Sequence, residues 1–277
     1  MPVAVRPILF LFCVLLLTSC THADPRPSAA RVLPVTAEDC ARMRAAQVIQ
    51  DDNPVPCERL RRVNFDYVDF EGTTGTGNVV VLDVVATQTA GIFADLKTHG
   101  FPLGKARLME YYKGDDQAAM RDNNTSAFNG RPITGGGDWS KHAYGVAIDI
   151  NPVQNPYLAF DDEGHATILP PDSAKTFVNR SETRAGKAPR SGMAELVLDI
   201  FARHGFLIWG GDWNFPVDYQ HFEIGSRTYI NDLLQKTPEV ARDNFDRYAQ
   251  RYRDCTAQSS ETDPAKKRAT CAAQVQR

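Results

Sequence analysis

The 277-residue chain lacks the signatures of several large protein classes. It has no excess of basic residues: 31 Lys and Arg stand against 34 Asp and Glu, a net charge of −3. That leaves no basic field for a phosphate backbone and excludes nucleic acid as a partner. It has no G-x-G-x-x-G and no Gly-Lys-Ser/Thr, so the glycines of "EGTTGTGN" (71–78) mark a hairpin turn rather than a phosphate cradle. It has no C-x-x-C, which weighs against a four-cysteine zinc site. There is no internal repeat and no long apolar run beyond the N-terminus.

The one apolar run, "PILFLFCVLLLTSC" (7–20), follows Arg6 and is short for a bilayer span. It has the pattern of a secretory signal peptide over residues 1–19. Its end, "LTSC", resembles a bacterial lipobox, which makes Cys20 the lipidated first residue of the mature chain and puts the protein in the cell envelope. The alternative is cleavage after "THA" (21–23), giving a soluble secreted protein. Cys40, Cys57, Cys255 and Cys271 remain for an oxidising compartment, where disulfides are favoured. Three pairings are open. The sequence-local one is Cys40–Cys57 with Cys255–Cys271, each loop contributing on the order of 3 kcal/mol.

Residues 20–61 read as a tether and a small cap, 62–226 as the main domain, and 227–277 as a helical extension of two helices. In "RVNFDYVDF", Val63, Phe65 and Tyr67 alternate with polar residues, and "VVVLDVVA" follows, predicting a strand pair. "TQTAGIFADLKTHG" predicts a helix with Ile92, Phe93 and Leu96 on one face, and "KARLMEYY" (105–112) a strand. "RDNNTSAFNGRPITGGGDW" predicts a long polar loop. "SGMAELVLDIFARHGF" predicts the clearest helix, ended by Gly205, with His204 as a cation at its terminus. Thr237 and Pro238 open another.

Of six histidines, two have chemical context. His142 precedes "AYGVAID", where Gly145 lets the chain turn and Asp149 projects from the next strand. His221 lies in "VDYQHFEI", three residues after Asp218. Two histidines and an aspartate with one position left for water form the open set of catalytic zinc, and a separate carboxylate can then act as a base. Each aspartate alone reads equally well as a turn or strand-end residue. Glu223 shares a strand face with His221 and is either support for that ring or a plain surface carboxylate.

"SKHAYGVAID" and "WGGDWNFPVDYQHFE" together resemble the two motifs of the D-alanyl-D-alanine carboxypeptidase (VanY-like) family of zinc peptidases, which includes L-alanyl-D-glutamate endopeptidases. The resemblance covers about residues 62–225. It implies an α+β fold, a small antiparallel sheet with flanking helices. It also implies one Zn²⁺ on His142, Asp149 and His221, Asp218 as catalytic carboxylate, and peptidoglycan stem peptides as substrate. Arg131, with Arg121 as competitor, is the expected cation for a substrate carboxylate, and Ser140 an expected substrate contact. Trp209 and Trp213 are either cleft walls or core aromatics. The rival class is a non-catalytic envelope protein that binds peptidoglycan or zinc on the same fold.

Overall fold

The computed structural model describes residues 1, 30–133 and 136–276. The expected leader and Cys20 lie outside the described residues. Among the described residues no helix is long and apolar enough to cross a membrane.

The fold is α+β, and the described residues form three small antiparallel sheets with flanking helices. The first holds β1 (Arg31–Pro34), β2 (Leu60–Val68) and β3 (Thr74–Leu82), with α1 (Ala37–Ala45) between β1 and β2. β2 and β3 pair from Leu60↔Leu82 to Val68↔Thr74. Val63 and Phe65 turn inward, as their alternation requires. Helix α2 (Ala86–Thr98) lies on this sheet with Ile92, Phe93 and Leu96 buried, and Phe93 stacks on Phe65 with centroids 3.6 Å apart. The hairpin turn is tighter than the glycine run suggests. Asp69 Oδ1 accepts from the backbone N–H groups of Glu71 and Thr73, and the strand resumes at Thr74. Gly77 is therefore a strand residue, and a Cβ there would lie 2.6 Å from that of Ala106. Close approach, rather than turning, is its use.

One expectation fails here for a reason outside its own segment. Residues 105–112 form no strand. Lys105 makes an isolated bridge to Asn124, the Asn124 side chain takes both backbone groups of Arg107, and Met109–Tyr112 closes into a 3-10 turn. The short helix α3 (Asp116–Arg121) comes next, and the polar loop expected from Arg121 onward follows it and passes inside the molecule, with Asn124 to Asn129 buried.

The remaining sheets carry the C-terminal motif. The second orders β4 (Ala147–Asp149), β9 (His221–Glu223) and β7 (Ile208–Trp209) as β4-β9-β7. The third orders β6 (Ala166–Leu169), β5 (Tyr157–Phe160) and β8 (Val217–Asp218) as β6-β5-β8. The expected long helix near 191–206 is shorter. Ala194–Leu196 is a 3-10 turn, and α4 spans only Leu198–Arg203. Asn155 Oδ1 accepts the N–H of Ala194 at 2.7 Å and holds the chain out of helical register. His204 does end α4, but it sits between Gln88 and Asp95, and burial pushes its pKa down despite Asp95.

The tail has three helices rather than two: α5 (Arg227–Leu234), α6 (Pro238–Gln258) and α7 (Pro264–Val275). Thr237 caps α6 and Pro238 opens it. Disulfides join Cys40 to Cys57 and Cys255 to Cys271. The second one ties α7 back onto α6.

Gly145 links the first sheet to the second. Its φ is +67°, its carbonyl accepts from Leu82 N–H at 2.8 Å, and a Cβ would sit 2.6 Å from that nitrogen. Gly145→Ala therefore meets both a left-handed backbone and a steric clash. We expect a loss of at least about 2 kcal/mol in urea unfolding; an unchanged midpoint would show that the turn relaxes freely. Replacing Cys255 and Cys271 together by Ala should cost about 2–4 kcal/mol, read in the same assay with the wild type under oxidising conditions.

Candidate metal centre and active site

The histidine of the first motif is placed by a single 3-10 turn, Lys141–Tyr144. Ser140 caps that turn, its Oγ accepting from His142 N–H at 3.3 Å, and Gly145 closes it in the left-handed region. The chain then enters β4. Asp149 pairs in register with His221 across β4 and β9, so the two motifs meet at one point of the sheet.

His142, Asp149 and His221 each present a ligand atom, and these atoms lie within 4.8 Å of one another. His142 Nε2 is 3.2 Å from Asp149 Oδ2 and 3.1 Å from His221 Nδ1. His221 Nδ1 is 3.0 Å from Asp149 Oδ1. All three residues are buried. The rings offer opposite nitrogens, and the reason is behind each ring. His142 Nδ1 donates to the carbonyl of Ala127, leaving Nε2 with its lone pair toward the cluster. His221 Nε2 donates to Glu223 Oε2 at 3.1 Å, leaving Nδ1 inward. A ring nitrogen fixed by an acceptor on its far side is the usual arrangement of a metal-ligating histidine. Two nitrogens and a carboxylate are a donor set that suits zinc. A second grouping, Asp161, Glu163 and His165, is exposed at the β5–β6 turn and has no such backing.

Asp218 stands on β8, three residues before His221, with Oδ1 buried and without a hydrogen-bond partner. Gly210 makes room for it: a Cβ there would lie 2.4 Å from the Asp218 carbonyl oxygen and 3.0 Å from its Cβ. Burial, with the Asp149 charge beside it, raises the Asp218 carboxyl to about 7. His221 goes the other way from what burial alone dictates. Its hydrogen bonds to Asp149 and Glu223 outweigh desolvation and lift it to about 10. Glu223 is buried too, yet His221 and Lys141 bring it down to about 2. Asp149 is held well below the ordinary carboxylate range, since the two histidines outweigh its burial.

The other expected site residues are placed differently. Arg131 pairs with Asp116 and donates to the carbonyl of Pro132, at the edge of an open polar basin of about 910 Å³ shared with Lys113, Asp115 and Asn129. Arg121 ends α3 and is exposed. Ser140 is buried as a cap. Trp209 donates from Nε1 to the carbonyl of Tyr219 and braces the strand, whereas Trp213 lies against His221 with centroids 5.3 Å apart. Sequence reasoning left Glu223 open and missed Lys141, whose Nζ reaches Glu223 Oε1 at 2.7 Å and the Gly225 carbonyl at 2.6 Å. The signal for Glu223 was its period-two spacing from His221.

Comparison with curated proteins and with solved structures returned no match. A family model described as D-alanyl-D-alanine carboxypeptidase matches residues 133–224, about a third of the chain. The matched segment contains His142, Asp149, Asp218 and His221, and the match supports a peptidase. The segment that builds the site is therefore similar to the D-alanyl-D-alanine carboxypeptidase family.

Proposed function

We propose that the protein is a zinc metallopeptidase that hydrolyses peptide bonds in peptidoglycan stem peptides. One observation carries the reading: His142 Nε2, the Asp149 carboxylate and His221 Nδ1 converge in a buried site, with Asp218, whose buried Oδ1 has no hydrogen-bond partner, on β8 three residues before His221. Zinc bound there supplies Lewis acidity toward a scissile carbonyl and an attacking water.

The proton work falls to Asp218. A carboxyl poised near neutrality can take a proton from the attacking water and hand it to the leaving amine, which a carboxyl of ordinary acidity does less well. Its Oδ1 has no protein partner to compete for that proton. Trp213 lies against the His221 ring and walls that side of the site. Arg131, whose guanidinium is held by Asp116 at the basin edge, is the candidate anchor for a substrate carboxylate, with Arg121 as the other. The family match and the disulfides fit an exported protein of the cell envelope, and lipidation at Cys20 would tether it there.

Zinc content and digestion of purified peptidoglycan test the reading together. Asp218→Ala should keep its zinc and lose about 10²–10⁴-fold in rate. Mass spectrometry of the products separates loss of a terminal D-alanine from a cut within the stem. A fully zinc-loaded wild type that cleaves no muropeptide would overturn the peptidase reading.

The charge pattern predicts competition between protons and metal. In the metal-free protein Asp218 is raised, so stability falls as pH climbs from its ordinary 3.8 through about 7. His221 is raised, so its stabilisation is complete below 6.5 and is lost as pH rises through about 10. Glu223 is lowered, so its contribution holds above 4.5 and is lost as pH falls toward about 2. The metal-free protein should thus melt highest near about pH 5 and progressively lower toward alkaline pH. Added zinc should raise the melting temperature more at about pH 8 than at about pH 6, because the metal takes the nitrogen the proton leaves. Calorimetry of chelator-treated protein across pH checks both; a stability that rises from pH 6 to 8 without metal contradicts the charge assignment.

A further inference from the structure

The tripeptide Ser140-Lys141-His142 does more than deliver one ligand. Lys141 points away from His142 and reaches across to β9. Its side chain is only 13% exposed. Nζ donates to Glu223 Oε1 at 2.7 Å and to the Gly225 carbonyl at 2.6 Å. Glu223, 9% exposed at its side chain, uses its other oxygen to accept from His221 Nε2–H at 3.1 Å. An unbroken chain runs from an ammonium through a carboxylate to the imidazole whose inner nitrogen faces Asp149 and His142.

We propose that Lys141 is a positioning residue of the metal centre: through Glu223 it fixes the His221 ring and its tautomer so that Nδ1 faces the metal. The proposal rests on the zinc reading above. A buried carboxylate needs a counter-charge. Without Lys141, Glu223 is drawn toward water, the acceptor behind His221 is lost, and the ring can turn or exchange its inner lone pair for a proton. The second bond, to Gly225, pins the same ammonium to the backbone just beyond β9. Each motif thus holds the other: β9 pairs with β4, which follows His142, and Lys141 beside His142 supports His221.

The test is a double-mutant cycle read as zinc affinity, by competition with a chromophoric chelator, on the full chain. Lys141→Met and Glu223→Gln should each weaken zinc binding about 10–100-fold, and the double variant should bind no more weakly than Glu223→Gln alone, because Lys141 acts through Glu223. The ligand-field spectrum of the cobalt(II) form should change in Lys141→Met, which a purely structural role would not cause. Zinc affinity of Lys141→Met within about threefold of wild type, or losses that add in the double variant, overturns the proposal. Should Lys141→Met fail to fold, the double variant, which leaves no unpaired buried charge, is compared with Glu223→Gln; equal affinities support the chain and a further loss refutes it. A wild type that takes up no zinc would sink the metal reading itself, a result distinct from a wild type that binds tightly with Lys141→Met unchanged.

Discussion

The pairing of Asp149 with His221 across β4 and β9 is the constraint on which the site depends. The two residues are 72 positions apart in the chain, and the register between two three-residue strands decides whether they meet. A slip of one residue would turn one of the two side chains to the opposite face, away from the other. Short strands specify register weakly by themselves, so other contacts must hold it. Ile148 and Phe222 are opposite each other and buried, and Phe222 stacks on Phe201 of α4 at 3.8 Å. The apolar face of the strand pair thus anchors the polar face in place.

That polar face concentrates charge. Asp149 and Glu223 are two buried carboxyls on it, Asp218 stands half-buried on β8 three residues before His221, and among the described residues Lys141 is the one lysine or arginine in contact with them. In the metal-free protein the balance is restored by protons, on His221 and on Asp218. On the zinc reading proposed above, a divalent cation would remove the need for both, and the energy of a cluster costly to bury would be recovered on binding rather than on folding.

Much of the site was legible because its information is local. A 3-10 turn needs a cap and a left-handed closer, and Ser140 and Gly145 supply them beside His142. Alternation in "DYQHFE" places His221 and Glu223 on one face of β9. What could not be read was non-local. The strand expected over 105–112 had the right composition, but Asn124 took the backbone groups a ladder would have used. The helix expected near 191–206 had the right period, and Asn155, nearly forty residues earlier, held its first turn open. Lys141 carried no periodic signal at all; only the pairing of β4 with β9 brings it to Glu223.

The C-terminal helices belong to the same argument. Tyr248 on α6 donates to the Ile224 carbonyl at 2.6 Å, one residue past Glu223, and stacks on Tyr229 of α5. Phe245, fully buried, packs where Gly205 leaves room at the end of α4. The apolar core runs without a break from Met43 to Val275, so the extension shares it with the site-bearing sheets. β9, paired on both edges by β4 and β7, is therefore also held at its C-terminal end, by Lys141 at Gly225 and by Tyr248 at Ile224. A three-residue strand that carries a ligand and its supporting carboxylate needs such bracing, since preorganisation of a metal site is only as good as the stiffness of the backbone beneath it. The Cys255–Cys271 disulfide, by fixing α7 against α6, adds to that stiffness from outside the matched peptidase segment.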